Sequence, residues 1–291
     1  MNRDTALNQI RRDKAEILSL KKATIKNSDA TILSSVSDSG EVSKMLPNDR
    51  LPMDTEDTLY RTLIANTYNY MDSHSDVHLN GLFGKSIQET KKIFLLHDHK
   101  FEVTAQIGNI LKAREQDTRF IYLGYNSPLD TQALLLDVEI QKAKNEAVFT
   151  AYKDNEINQH SVGMYYVKVD LAMDDKQDPN AYALYQKYLP LIGNADEVMK
   201  QGYFFAVSEA KLKETSAVLM GSNPITGIFD NNKSAYNVDQ VQKMFDYLAK
   251  NIDNKEIYFN LCKQYCDTFA KKEPSKDTQK DIKPSIYQLI K

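Results

Sequence analysis

Among its 291 residues the chain carries only five histidines: two of them stand in "HDH" at 97–99, and a third, His160, is followed at once by Ser161. A serine hydroxyl becomes a nucleophile when a base lies within hydrogen-bond reach and a third group orients that base and stabilises its cation. Ser161 is such a hydroxyl. His97, His99 or His160 is a candidate base, and an acid or a second histidine a candidate orienter. Geometry sets such trios and sequence order is free, so residue types alone leave these alternatives open. Each histidine also has a plain structural reading, as a satisfied polar residue at a strand end.

Metal binding is the chemical rival. "HSDVH" at 74–78 and "HDH" together offer His74, Asp76, His78, His97, Asp98 and His99, all suitable ligands for zinc or another divalent ion. Neither segment has a helical spacing such as H-E-x-x-H, and a metal-dependent hydrolase built on His74, His78, His97 and His99 stands only as an alternative.

The elements that must position these groups follow from periodicity. Residues 5–22 place Leu7, Ile10 and Ile17 at helical spacing among many charges, a solvated helix with one narrow apolar stripe. Residues from about 29 read as strand then loop, 47–60 as loop, and "TLYRTLIANTYNYM" as helix. "FEVTAQIGN" alternates with period two and reads as a strand with one wet face; "KKIFLLHDHK" before it reads as a buried strand ending in histidines. "RFIYLGY" at 119–125 reads as another strand, and the segment opened by Pro128 as a helix through Ala133, Leu136 and Ile140.

In "NQHSVGMYYVKVDLA", Val167, Val169 and Leu171 share the parity of Ser161, which sets the serine on the apolar side if alternation is unbroken. Residues 179–201 read as helical, interrupted near Pro190 and Gly193. "GYFFAVSEA" and "KETSAVLM" read as two further strands, and Val238, Val241, Phe245, Leu248 and Ile252 as a helical tail with a charged break at 271–283. Many strands and few helices, without βαβ alternation, give an α+β fold: a curved antiparallel sheet or closed β-barrel flanked by helices. Three parts are expected: an N-terminal helical extension at 1–28, a β domain at 29–229 and a helical tail at 230–291.

Composition bounds the partners. Hydrophobic residues make up 42% and charged residues 26%, with no membrane-length apolar run, and the net charge of −3 argues against broad nucleic-acid affinity. The first residues lack a secretory pattern, so a cytoplasmic location is expected. Cys262 and Cys266, four apart in a helical pattern, read as a reduced pair.

Taken in order, four segments resemble the prohead (capsid-maturation) protease family of tailed bacteriophages, distant relatives of the herpesvirus assemblins. "SDVHLNGLFGKSIQET" is similar to the family's D-x-h-x-x-G-h-F-x-x-S-h segment. "IFLLHDHKFEVTAQIGN" is similar to its apolar strand, histidine and hairpin ending in Ile-Gly, "INQHSVGMYYVKVDLA" to its nucleophile strand, and "KETSAVLMGSNPITG" to its E-h-S-h-V-x-x-P-A-N segment.

The resemblance covers about residues 29–229 and implies Ser161 as nucleophile, His99 as general base and Glu214 as the orienting acid, with His97 and Glu209 as competitors. It implies a serine endopeptidase that needs no metal or organic cofactor. The substrates would be the scaffold and major capsid proteins and the protease itself, inside a procapsid in the host cytoplasm, and the enzyme would self-associate as a dimer. A non-catalytic structural virion protein of the same fold is the alternative from another class. "LMGSNP" departs from the family's Pro-Ala-Asn turn, and the stretch 179–201 is an insertion relative to short members.

Overall fold

The computed structural model of the protein describes residues 3–25, 51–123, 125–219, 221 and 223–228. The expectations for the strand near 29–46, the tail after 230 and the two cysteines lie outside the described residues. No described helix is long and apolar enough to cross a membrane.

Among the described residues, five helices and eight strands make a mixed α+β fold in which helices flank one curved sheet. The strands are β1 (Thr58–Thr67), β2 (Asp76–His78), β3 (Phe94–His97), β4 (Gln106–Arg119), β5 (Asp130–Gln141), β6 (Gln159–Met173), β7 (Tyr203–Val218) and β8 (Gly227–Ile228). Long β7 is the hub. One edge carries antiparallel β6; the other carries β2 at its start and β3 at its end, both parallel. From β3 the sheet continues through β4, β5, β1 and β8.

Of the two expected forms, the curved sheet flanked by helices is the one present. The sheet is mixed rather than antiparallel, and the described ladder does not close into a barrel. Its ends nevertheless meet through side chains, since Thr226 Oγ1 accepts from the His160 amide and the Thr226 carbonyl accepts from Gln159 Nε2.

Helix α1 (Arg3–Ala23) is docked on the sheet: Leu7 is buried in the main core and Ile10, Ile17 and Leu18 pack against it. The polar flanks of that stripe pair with acids of the body, Arg11 with Asp175 and Lys14 with Asp178, both at 2.7 Å. Near its end Lys21 reaches buried Asp76. The expected break in 179–201 is present: α4 (Pro179–Tyr188), capped by Asp178, passes through a 3-10 turn at 189–191 to α5 (Ala195–Gln201). Gly202 ends α5 at φ +85°, a conformation glycine adopts without strain.

Several expected elements have the wrong type. Residues 58–67 form β1, and the segment after Pro128 is β5 followed by α3 (Glu146–Lys153), whose first turn is capped by Asn145. β5 is buried on both faces, so its run Ala133–Leu136 loses the alternation that marks a strand and mimics helical spacing. Residues 120–123 and 103–105 are 3-10 turns, and β4 begins only at Gln106. The two segments expected around 203–220 are one continuous strand, β7.

The candidate active site

Two departures from ideal strand geometry build the site. The first is in β6. Its core-facing residues are Val162, Met164 and Tyr166, then Val169, Leu171 and Met173. Register shifts between Tyr166 and Val169 switch the parity, so Ser161 does not share a face with Val169 and Leu171. The expected orientation of Ser161 is thereby overturned: with Gly163, it lies on the opposite face.

The second is in β7, where Gly163 pairs with Glu214 and Met164 with Leu212, leaving Lys213 as an extra residue. Regular alternation from core-facing Leu212 would put Glu214 in the apolar core; the bulge re-aims it onto the face of Gly163 and Ser161. The Leu212 amide at this bulge donates to Ser86 Oγ on α2 (Gly84–Glu89) at 2.9 Å. Two residue pairs further on, Ser216 is the register partner of Ser161. Four residues, Ser161, Gly163, Glu214 and Ser216, therefore share one small patch of sheet.

His99 comes to that patch from β3. After His97 the chain turns through Asp98 (φ +52°) and His99 (φ +54°), both left-handed, with the Asp98 amide donating to the Ala217 carbonyl. Strand parity therefore ends at His97. That residue pairs with Ala217, whose face is the core side, and its ring contacts Asp98 at 3.4 Å. His99 instead folds over the patch, and its Nδ1 lies 2.7 Å from Glu214 Oε1.

The carboxylate is fully buried and the imidazole 11% exposed. Ser216 Oγ donates to the other oxygen, Oε2, at 2.6 Å and accepts from the His99 backbone amide at 3.1 Å. With both carboxylate oxygens accepting, His99 Nδ1 carries the hydrogen, and the neutral ring then has its lone pair on Nε2. That Nε2 is buried and makes no hydrogen bond. A buried polar atom without a partner is uncommon and calls for an explanation; a base held ready for a hydroxyl proton supplies one.

The site residues read from sequence sort as follows. Ser161 is 3% exposed on the patch, and its carbonyl accepts from Thr215 Oγ1. His99 and Glu214 are in direct contact with each other. Glu209 is elsewhere on β7, paired with Lys168 at 2.9 Å, and the hydrogen bond from that lysine holds its carboxyl below the ordinary value. His160 leaves β6 on the core side and meets the Tyr152 hydroxyl at 2.8 Å.

The histidines of the metal alternative fall into two groups: His97 and His99 stand at the end of β3 and in the turn after it, and His74 and His78 lie around Asp72 and Asp76. His78 is buried between Asn66 and Tyr166, whose hydroxyl donates to Asp76 Oδ2. Burial holds the His78 imidazole down at about 4, so this ring is neutral around pH 7. Among the described residues, no group of three or more His, Cys, Asp or Glu could hold a metal ion.

No protein family, curated protein or solved structure matches the chain. The site thus stands on its own geometry. Sequence reasoning missed Gly163 and Ser216. A glycine inside a strand signals close approach of another group, and the i, i+2 spacing of Glu214 and Ser216 places both on one strand face; these were the available signals.

Proposed function

We propose that the protein is a serine endopeptidase of the phage prohead type, acting on scaffold and capsid proteins, and on itself, within an assembling procapsid. The observation that carries the reading is the His99 ring, clamped through Nδ1 by buried Glu214 and open at Nε2, over the face that holds Ser161.

In this reading Ser161 Oγ attacks the scissile carbonyl carbon while His99 Nε2 takes the hydroxyl proton. The imidazolium so formed is stabilised by Glu214, whose charge is screened from water by burial. Collapse of the tetrahedral intermediate breaks the C–N bond, and the proton on Nε2 passes to the departing amine. Water then attacks the acyl ester by the same route in reverse, releasing the new carboxyl terminus and restoring the serine.

Neither a metal nor an organic cofactor has a step in this chemistry. The resemblance in the order of the four segments supports the substrate class and a homodimeric state in the host cytoplasm. Co-expression with the capsid and scaffold proteins tests it. The wild-type chain should trim both, Ser161→Ala neither, and a chelator should leave trimming unchanged. Equal trimming by wild type and Ser161→Ala would remove the proposal.

A further inference from the structure

We infer that Ser216 is a positioning residue that fixes the acid and the base of this site relative to each other, a role resting on the reading of the site as a serine-hydrolase centre. Its hydroxyl makes two contacts at once. It donates to Glu214 Oε2 and accepts from the backbone amide of His99. A carboxylate on a flexible glutamate stem has several rotamers, and a histidine in a left-handed turn has no ladder to hold it. One fully buried hydroxyl restrains both, tying the side chain of β7 to the backbone of the turn after β3.

The space on the β6 side of Glu214 is closed by the backbone at Gly163, where an added Cβ would stand 2.1 Å from Oε1. Without the Ser216 hydroxyl, Oε2 loses this donor and the part-buried His99 amide this acceptor. Ser216 is also the ladder partner of Ser161, so a shift here is felt directly beside the hydroxyl that reacts.

The test compares full-length Ser216→Ala, Ser216→Thr and Thr131→Val with wild type. Thr131→Val removes a buried hydroxyl on β5, bonded to the Tyr68 carbonyl, and serves as the purely structural comparison. Two quantities are read: the rate of Ser161 phosphonylation by a fluorophosphonate, and the downfield proton resonance of the His99 Nδ1–H, assigned by its loss in His99→Gln. Ser216→Ala should slow labelling about ten- to a hundredfold, the scale of a small misplacement of reacting groups, and should shift or broaden the proton resonance. Ser216→Thr, which keeps the hydroxyl, should restore the resonance, and Thr131→Val should change neither readout.

An unchanged His99 resonance in Ser216→Ala overturns the positioning role, whether or not the chain labels. Equal slowing by Thr131→Val overturns it too, since general destabilisation then accounts for the effect. Absence of labelling in wild type, with the resonance present and sensitive to Ser216, removes the hydrolase reading while leaving the geometric role intact.

Discussion

Gly163 and Glu214 face each other across the β6–β7 ladder, and the carboxylate occupies the space where a side chain on residue 163 would begin. A Cβ there would lie 2.1 Å from Oε1 and 2.9 Å from the carboxyl carbon. Gly163→Ala should therefore displace the acid from His99. The expected result is a folded protein, less stable by about 1–3 kcal/mol in denaturant titration, whose Ser161 labelling falls about a hundredfold.

Glu214→Gln keeps the shape and removes the charge. The carboxamide can present its NH2 to His99 Nδ1, which favours the tautomer with the hydrogen on Nε2 and removes the lone pair needed for the serine proton. Labelling of Ser161 should fall on the order of a thousandfold with the fold intact by circular dichroism. Glu209→Gln, on the Lys168 pair, should leave the rate within about twofold, as surface pairs contribute little.

The bulge that aims Glu214 depends on Ser86, a buried residue of α2 whose hydroxyl accepts from the Leu212 amide. Ser86→Ala leaves that amide without its acceptor at a cost of about 1–3 kcal/mol. Chemical denaturation should register the loss, and labelling should slow as well, because the parity of Glu214 is set at this bulge. A variant equal to wild type in both would mean that the bulge holds without Ser86.

Asp72 and His78 make opposite contributions to the pH dependence of stability. Burial first, and the Asp76 carboxylate second, push the Asp72 carboxyl up to about 7 from an ordinary value of 3.8. Its contribution is complete below about pH 4 and is lost as pH rises toward 7, because the unfolded chain releases the proton first. His78, held down at about 4 from 6.5 by burial, contributes stability that is present above pH 6.5 and lost as pH falls toward 4. The two nearly cancel over this range in wild type. Asp72→Asn, which retains an acceptor for the His74 and Asp76 amides, should expose the histidine slope: a rise on the order of 3 kcal/mol between pH 4 and 6.5 in urea titrations. A flat profile in Asp72→Asn would contradict the burial of His78 as a neutral ring.

The fold class and the helical insertion were legible because amphipathic helices and strand-rich composition leave direct periodic traces. β1 and β5 were not, since β5 and the second half of β1 are buried on both faces and carry no alternation, and the continuity of β7 was hidden by charged residues at its middle. At the site, the types of Ser161, His99 and Glu214 could be read, but their convergence could not. It depends on a parity switch in β6, an extra residue in β7 and two left-handed residues after β3. Each is a break in periodicity, and periodic patterns carry no information about where they break.

The central claim is that Ser161 is the hydroxyl served by His99. The direct measurement is incubation of the full chain with a fluorophosphonate, followed by peptide mapping of the adduct by mass spectrometry. The account predicts a single stoichiometric adduct on Ser161, absent in Ser161→Ala and lost in His99→Gln. An adduct on another residue, or labelling of Ser161 undiminished in His99→Gln, would contradict it.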